Sequence, residues 1–588
     1  MYQAPLRELR FVLHELIGDR SLDGVARFPD YSADFADSVL EAAADFAQEV
    51  LAPINSLGDT EGAKWTPDGV VMPAAFRDAY AKYVDGGWTQ LRGPVEHGGQ
   101  GAPTVLGTAV EELWASANLA FKLCPMLTQG AVEAIERCGT PEQKHRYLPK
   151  LINGEWTGTM LLTESQAGSD LGAIRTRAAR DGSQYRLHGQ KIFITYGDHD
   201  YTPNIIHMVL ARIDGAPAGI RGISLFIVPK VLVNADGSLG ERNDVRCVSI
   251  EHKLGIHASP TCVIAMGDQG GAVGYLVGEE NRGLEYMFIM MNAARLSVGL
   301  EGYALAERAY QKALDWARTR VQGKTRQSPK EGGAAPIAYH PDIKRMLLTM
   351  KSYTEAARAI GLYAALQLDL AKANIADHDA SLAQARGELL IPIVKGWSTE
   401  IGIAMTSLGV QVHGGMGFIE ETGAAQFYRD VRICAIYEGT TGIQALDLIG
   451  RKVGRDGGTA MTALIDHMTA EIQALPPAAE AGVRGRAAAL NAIAGLRAAT
   501  TSLLASPEAA LAVAVPYLHL CGLAIGGWMM AKSQQIAVEQ LAADPAFYAG
   551  KQQVARFYLE NILPECLALA HIVQTGASSI TEADPALL

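Results

Sequence analysis

Between Gln411 and Gly442 the chain reads QVHGGMGFIEETGAAQFYRDVRICAIYEGTTG. Glu438 is the single acid in the apolar, small-residue stretch from Ile433 to Ile443. A carboxylate desolvated there would have its pKa pushed up, which is what a general base working near neutral pH needs. Upstream lies the cluster Gly414-Gly415-Met416-Gly417-Phe418, and residues without a Cβ let the backbone pass close to another molecule. The pairing points to proton abstraction beside a tightly packed cofactor. The same residues also fit a plainer arrangement, a glycine turn followed by a Glu set favourably at a helix N-terminus.

A second segment, Leu162-Thr163-Glu164-Ser165-Gln166-Ala167-Gly168-Ser169-Asp170, offers hydroxyls on Thr163 and Ser169 and an accessible backbone at Gly168. It suits a polar ligand, and equally a loop with Ser and Asp capping. Other chemistries find no support. There is no G-x-G-x-x-G, H-E-x-x-H or G-x-S-x-G, and Arg318 stands where a P-loop ending at Gly323-Lys324-Thr325 needs its first glycine.

The elements that must position these segments follow from periodicity. Residues from about 30 to 155 are helix-like, with Phe35, Val39, Ala43, Phe46 and Val50 at helical spacing and a helix start at Thr140-Pro141-Glu142-Gln143. From about 160 to 278 the runs Ile192–Thr195, Met208–Ala211, Ile223–Val228 and Val263–Met266 are β-rich, with turn signals between them and no helical patterns. That order predicts an antiparallel β-domain or barrel. Helical periodicity returns from Leu284 to Lys452, interrupted by a polar loop from Gln322 to Pro341. A last helical unit carries the stripe Met461, Leu464, Ile465, Met468 and Ile472, which is most simply a packing face, and breaks at Pro476-Pro477 and Gly482.

At 588 residues the chain exceeds one core, and 48% apolar with 19% charged residues is globular composition. A net charge of −12 argues against nucleic acid as a partner. The seven cysteines contain no C-x-x-C, so neither a disulfide framework nor a metal site is implied, and a reducing, cytoplasmic setting fits. The N-terminus lacks the apolar core of a signal peptide. Ala509 to Ala531 carries no formal charge and is long enough to span a bilayer, but Pro516, His519, Gly522, Gly526 and Gly527 favour a buried helix pair over a membrane span.

Taken together, the two segments and the helix–strand–helix order resemble the acyl-CoA dehydrogenase family from about residue 40 to 455. Further matching motifs are Gly139 to Lys144, Tyr147 to Leu151, Gly154-Glu155-Trp156, Gly189 to Thr195, Lys253-Leu254-Gly255, Arg320-Val321-Gln322 and His340-Pro341. The remaining ends are similar to a long bacterial branch that includes fatty acyl-CoA and 3-methylmercaptopropionyl-CoA dehydrogenases. The resemblance implies an α+β fold in five parts. These are an N-terminal extension (1–40), an N-terminal helical domain (41–159), a middle antiparallel β-domain (160–280), a C-terminal helical bundle (281–453) and an extra helical unit (460–588).

It also implies FAD shared across a homodimer, α,β-dehydrogenation of an acyl-CoA in β-oxidation, and an electron-transfer flavoprotein as acceptor. By motif position Glu438 is the base. Thr163, Ser169, Phe193 and Thr195 line the flavin, while Arg320, Gln322, Gln411, Gly415 and Thr440 serve its pyrophosphate and adenosine side. Ser169, Arg295, Tyr437 and Gly439 lie beside the substrate. This chain departs from the family pattern at Ser165-Gln166, usually Pro-Gly, at Gln426, often Lys or Arg, and in lacking Phe before Gly323. An acyl-CoA oxidase and a non-catalytic DNA-binding flavoprotein of the same fold are the rival readings. Hydrogen peroxide production marks the first and salt-sensitive duplex binding the second. Chain length, branching and tolerance of a thioether are not legible in the sequence.

Overall fold

The computed structural model describes residues 2–327, 333–375, 379–476 and 480–587. It divides into two compact units, one of residues 1–44, 103–116 and 298–588, the other of residues 45–102 and 117–297.

The second unit is built on a mixed sheet. A small hairpin, β1 (Lys64–Thr66) and β2 (Gly69–Val71), precedes it in the chain. The sheet proper begins with β3 (Trp156–Leu161), β4 (Arg177–Asp181), β5 (Gln184–Thr195), β6 (Asn204–Ile213) and β7 (Ile223–Pro229). After a second hairpin, β8 (Val231–Val233) and β9 (Leu239–Arg242), come β10 (Val245–Ile250), β11 (Thr261–Met266) and β12 (Ala272–Val277). The main path runs β10-β11-β5-β12-β7-β6-β3, with β4 pairing β5 and β6.

The expected antiparallel pattern holds for most of these pairs, but β3 and β4 each run parallel to β6. Every residue of β3 is buried, as a strand covered on both faces must be. β3 begins at Trp156, inside the 41–159 stretch assigned to the helical domain, because Trp-Thr-Gly-Thr-Met-Leu shows no apolar/polar alternation although every residue is buried. The β1–β2 hairpin also falls in that span, since three-residue strands are too short to show alternation. The Thr140 cap forms as read, with reciprocal bonds between Thr140 and Gln143.

Long helices make up the first unit: Pro341–Leu370, Ala380–His413, Glu480–Ala505 and Ala514–Glu539. Residues 328–332 of the Gln322–Pro341 loop, and Pro477, lie outside the described residues. The Met461–Ile472 stripe is buried throughout, as a packing face should be. The expected helix pair at Ala509–Ala531 is instead one helix from Ala514, with the break at Leu511–Val513. Its glycines mark close approach, not bends. A Cβ on Gly522 would lie 2.3 Å from the Trp397 ring. The stretches 484–505 and 507–539 are long and apolar enough to cross a membrane. Burial of Tyr517, Cys521 and Trp528 in the second supports its reading as a core helix.

Ion pairs tie segments near both chain ends to the helix Pro341–Leu370. Glu8 bonds Lys551 at 2.5 Å and Lys351 at 3.2 Å, and Glu355 bonds both lysines at 2.9 Å. Burial works against ionisation of Glu8, but Lys351, Lys551 and Arg358 outweigh it and hold its carboxyl well below the usual range. Removing one partner of a buried pair costs about 3–5 kcal/mol, because the other charges remain desolvated. Lys551→Met should therefore lower stability by about 3 kcal/mol at pH 7, measured by thermal unfolding. A carboxyl held low stabilises above its ordinary value of 4.5 and loses that contribution as pH falls, so the gap between wild type and variant should narrow below about pH 4.

Candidate active site

In the first unit, the turn carrying Glu438 is fixed by side chains that converge on its backbone. Glu438 has φ +57° and Gly439 φ +91°. For a residue with a Cβ the left-handed region costs about 1–3 kcal/mol and persists only when its surroundings impose it. Here they do. The fully buried Lys395 donates from Nζ to the Gly439 carbonyl at 2.6 Å. The fully buried Gln444 donates to the carbonyls of Glu438 (3.1 Å) and Gly439 (3.3 Å). Thr440 then caps the helix Thr441–Asp447, and Thr441 donates to Glu400 at 2.6 Å. Glu438 is half-buried and its neighbour Ile436 is 47% exposed, so the turn faces outward from a rigid base.

Tyr437, expected beside the substrate, is half-buried and its hydroxyl is already engaged within the protein. Its hydroxyl turns inward and donates to Oε2 of Glu301, a carboxyl with no exposed surface. The Cys434 thiol reaches the same oxygen at 3.3 Å. Burial, then Cys434 and Glu301, push the Tyr437 hydroxyl well above its ordinary pKa, so it is a donor at all working pH.

The glycine cluster lies elsewhere in this unit. Helix Ala380–His413 ends at Gly414, whose φ of +61° and ψ of −143° suit glycine alone, with open space where a Cβ would stand. Trp316 stacks on His413 at 5.4 Å, bringing two helix ends together. Exposed Arg320 and Gln322 follow one of these helices, and exposed Gln411 and Gly415 lie at the end of the other. Lys395, which grips the Glu438 turn, lies sixteen residues before Gln411, about 24 Å along the helix at 1.5 Å per residue. The cluster and the carboxylate, read together in the sequence, are thus separate features of one chain.

In the second unit, Thr163 and β5 adjoin, with Ile192 N–H donating to the Thr163 carbonyl at 2.9 Å. Phe193 sits at a bulge where the β5–β11 register shifts, at φ +59° and 58% exposed. A bulge re-aims a side chain, and here it turns an aromatic ring out of the sheet. Thr195 is half-buried and its carbonyl accepts from Thr159 at 2.7 Å. Ser169 is exposed in the preceding loop.

Beneath that loop lies a pair that the sequence did not single out. Glu164 accepts from Lys191 (2.9 Å), the Thr176 hydroxyl (2.6 Å) and the Arg175 N–H (2.7 Å). Burial raises its pKa, but these donors, Lys191 foremost, hold it down at about 2. Gln166, one of the departures from the family pattern, ties the loop to Glu164 at 2.7 Å and to the Ala173 carbonyl at 3.2 Å. Arg295 is buried, 5.9 Å from the Phe288 ring centroid. In this unit an exposed aromatic plane with neighbouring hydroxyls suits an isoalloxazine; in the first unit, taken by itself, an accessible guanidinium and a bare glycine backbone suit a pyrophosphate.

Four family models cover nearly the whole chain: the acyl-CoA dehydrogenase N-terminal domain (35–155), middle domain (159–268) and C-terminal domain (281–454), and an acetyl-CoA dehydrogenase C-terminal-like domain (464–584). The chain belongs to the acyl-CoA dehydrogenase family. It is 46% identical to the 3-methylmercaptopropionyl-CoA dehydrogenase of Ruegeria pomeroyi, over 99% of both chains. It is 35% identical to the broad-specificity linear acyl-CoA dehydrogenase FadE5 of Mycobacterium tuberculosis, over 100% of this chain and 99% of that one. The fold is shared with an acyl-CoA dehydrogenase from Bacillus anthracis solved in complex with FAD, at TM-score 0.73 and 22% identity, covering 100% of this chain and 94% of that one. As a member of this family the chain is an oxidoreductase acting on acyl-CoA.

The strained, exposed Phe193 makes stability and cofactor retention separable. Phe193→Gly relieves a left-handed backbone and removes little packing, so the apoprotein should unfold at the same or a higher temperature. FAD should dissociate roughly 2- to 12-fold more readily, as loss of an aromatic contact of about 0.5–1.5 kcal/mol implies, measured by flavin release.

Proposed function

We propose that Glu438 is the base of a FAD-dependent α,β-dehydrogenation that converts an acyl-CoA thioester to its trans-2-enoyl-CoA. The observation that carries this reading is the left-handed, clamped backbone at Glu438, which presents an acid from a position that strain alone would disfavour. FAD supplies the hydride acceptor. The protein's work is to remove the α-proton with the Glu438 carboxylate and to polarise the thioester. In this reading the residue 438 N–H donates to the thioester oxygen as negative charge develops there. A substrate covering the half-buried carboxylate desolvates it and raises its pKa toward the working range.

Phe193, Thr163, Thr195 and Ser169 serve the flavin from the sheet. Arg320, Gln322, Gln411, Gly415 and Thr440 serve the pyrophosphate and adenosine end. The helix span of about 24 Å from Lys395, which holds the Glu438 turn, to Gln411 beside the glycine cluster supports a homodimer in which each chain's cluster serves its partner's cofactor. Phe418, 86% exposed beside that cluster, fits burial against a second copy. Arg295 and Gly439 remain on the substrate side, and an electron-transfer flavoprotein is the acceptor. A second substrate reading, 3-methylmercaptopropionyl-CoA, is favoured by the 46% identity to an enzyme of that name over 99% of both chains.

Anaerobic bleaching of the flavin against straight-chain acyl-CoAs of graded length, with 3-methylmercaptopropionyl-CoA included, tests this function. At least one should bleach wild type within seconds. Glu438→Gln should retain FAD and bleach slower by about 10²–10⁴-fold or more. Normal bleaching by that variant overturns the base assignment, and abundant peroxide in aerobic turnover overturns the dehydrogenase reading in favour of an oxidase.

A further inference from the structure

The turn that carries Glu438 is gripped at its carbonyls by Lys395 and Gln444. Those bonds fix the chain after residue 438. What fixes the chain before it is different in kind. Tyr437 N–H reaches the Ile433 carbonyl at 3.1 Å, and the Tyr437 side chain runs inward to Glu301. Glu301 lies in the middle of the helix Gly283–Thr319, one of the longest in the molecule, and exposes no surface. Burying a carboxyl at the centre of a helical bundle is costly unless its hydrogen bonds are made. This one collects the Tyr437 hydroxyl and the Cys434 thiol on a single oxygen. Both donors belong to the short segment that leads into residue 438.

The direction of this wiring matters. A tyrosine that packed only by its ring could rotate about its side-chain torsions and let the peptide between residues 437 and 438 swing. A hydroxyl anchored to a fixed carboxyl removes that freedom. The 437–438 peptide carries the N–H of Glu438, and rotation there would also release the φ of +57° toward an ordinary value. We propose that Glu301 is a positioning residue for the Glu438 base. Through Tyr437 and Cys434 it holds the left-handed backbone so that the carboxylate and the N–H of residue 438 face the same side. This rests on the assignment of Glu438 as the base.

Glu301→Gln retains an acceptor oxygen for the Tyr437 hydroxyl, Glu301→Ala removes it, and Tyr437→Phe removes the donor while keeping the ring. A misplacement of about 1 Å at a reacting group costs on the order of 10²-fold in rate. Glu301→Ala and Tyr437→Phe should each slow anaerobic flavin bleaching about 10- to 100-fold. FAD content should stay at wild-type level, and the acyl-CoA concentration for half-saturation should move by no more than about 3-fold. Glu301→Gln should recover most of the rate, and the Glu301→Ala/Tyr437→Phe double variant should be no slower than the slower single one, since both break one linkage.

Additive losses in the double variant, or no rescue by glutamine, overturn the proposal. So does wild-type bleaching by Tyr437→Phe, a variant that leaves the packing volume intact and so stands even if Glu301→Ala fails to fold. Failure of the underlying reading is distinct: it would show as bleaching that survives Glu438→Gln, whatever the Glu301 variants do.

Discussion

In the function proposed for this chain, the chemistry depends on a single backbone conformation, the left-handed turn at Glu438. It is unfavourable by itself, at about 1–3 kcal/mol, and persists only because its surroundings impose it. The bonds that do so come both from nearby, at Gln444, and from far along the chain, at Lys395 and Glu301. Lys395 and Gln444 hold the carbonyls at and after the residue, and Glu301 holds the side chain before it. Lys395 and Glu301 lie on separate long helices, so the turn keeps its shape only while those helices keep their packing.

The sheet side solves a similar problem by similar means. Phe193 is another non-glycine residue in the left-handed region, and a bulge in β5 turns its ring outward. The loop beside it rests on Glu164, whose oxygens are occupied by Lys191, Thr176 and Arg175. In both units a buried charged side chain is engaged by several partners, and a residue in the left-handed region, Glu438 or Phe193, stands nearby. The same device recurs at the chain ends, where Glu8, Lys351, Glu355 and Lys551 join the N-terminal helix and the C-terminal extension to the long helices. Such pairs add little net stability but make departure from the arrangement expensive.

Much of this was legible in the sequence where the signal is local. The isolated acid at Glu438, the β-rich runs, the Thr140 cap and the Met461–Ile472 stripe each declare themselves within a few residues. What was not legible is mostly non-local. Glu301 and Lys395 carry no signature until the chain has folded around residue 438. The bond from Tyr437 to Glu301 was equally invisible, because sequence adjacency to Glu438 says nothing about which partner a hydroxyl finds. The parallel pairing of β3 with β6 needs the sheet order, which a run of six buried residues cannot supply. The helix pair expected over Ala509–Ala531 rested partly on its glycines, and the bulk of Trp397, which requires Gly522, lies more than a hundred residues away in the chain.

The central claim is that Glu438 takes the α-proton, and exchange of that proton reports on the step most directly. The FAD-loaded enzyme, kept anaerobic in D2O with an acyl-CoA that it bleaches, should exchange the α-hydrogen for deuterium, followed by NMR of the recovered thioester. The account predicts rapid exchange with wild type and none above background with Glu438→Gln. Exchange by Glu438→Gln at the wild-type rate would contradict it.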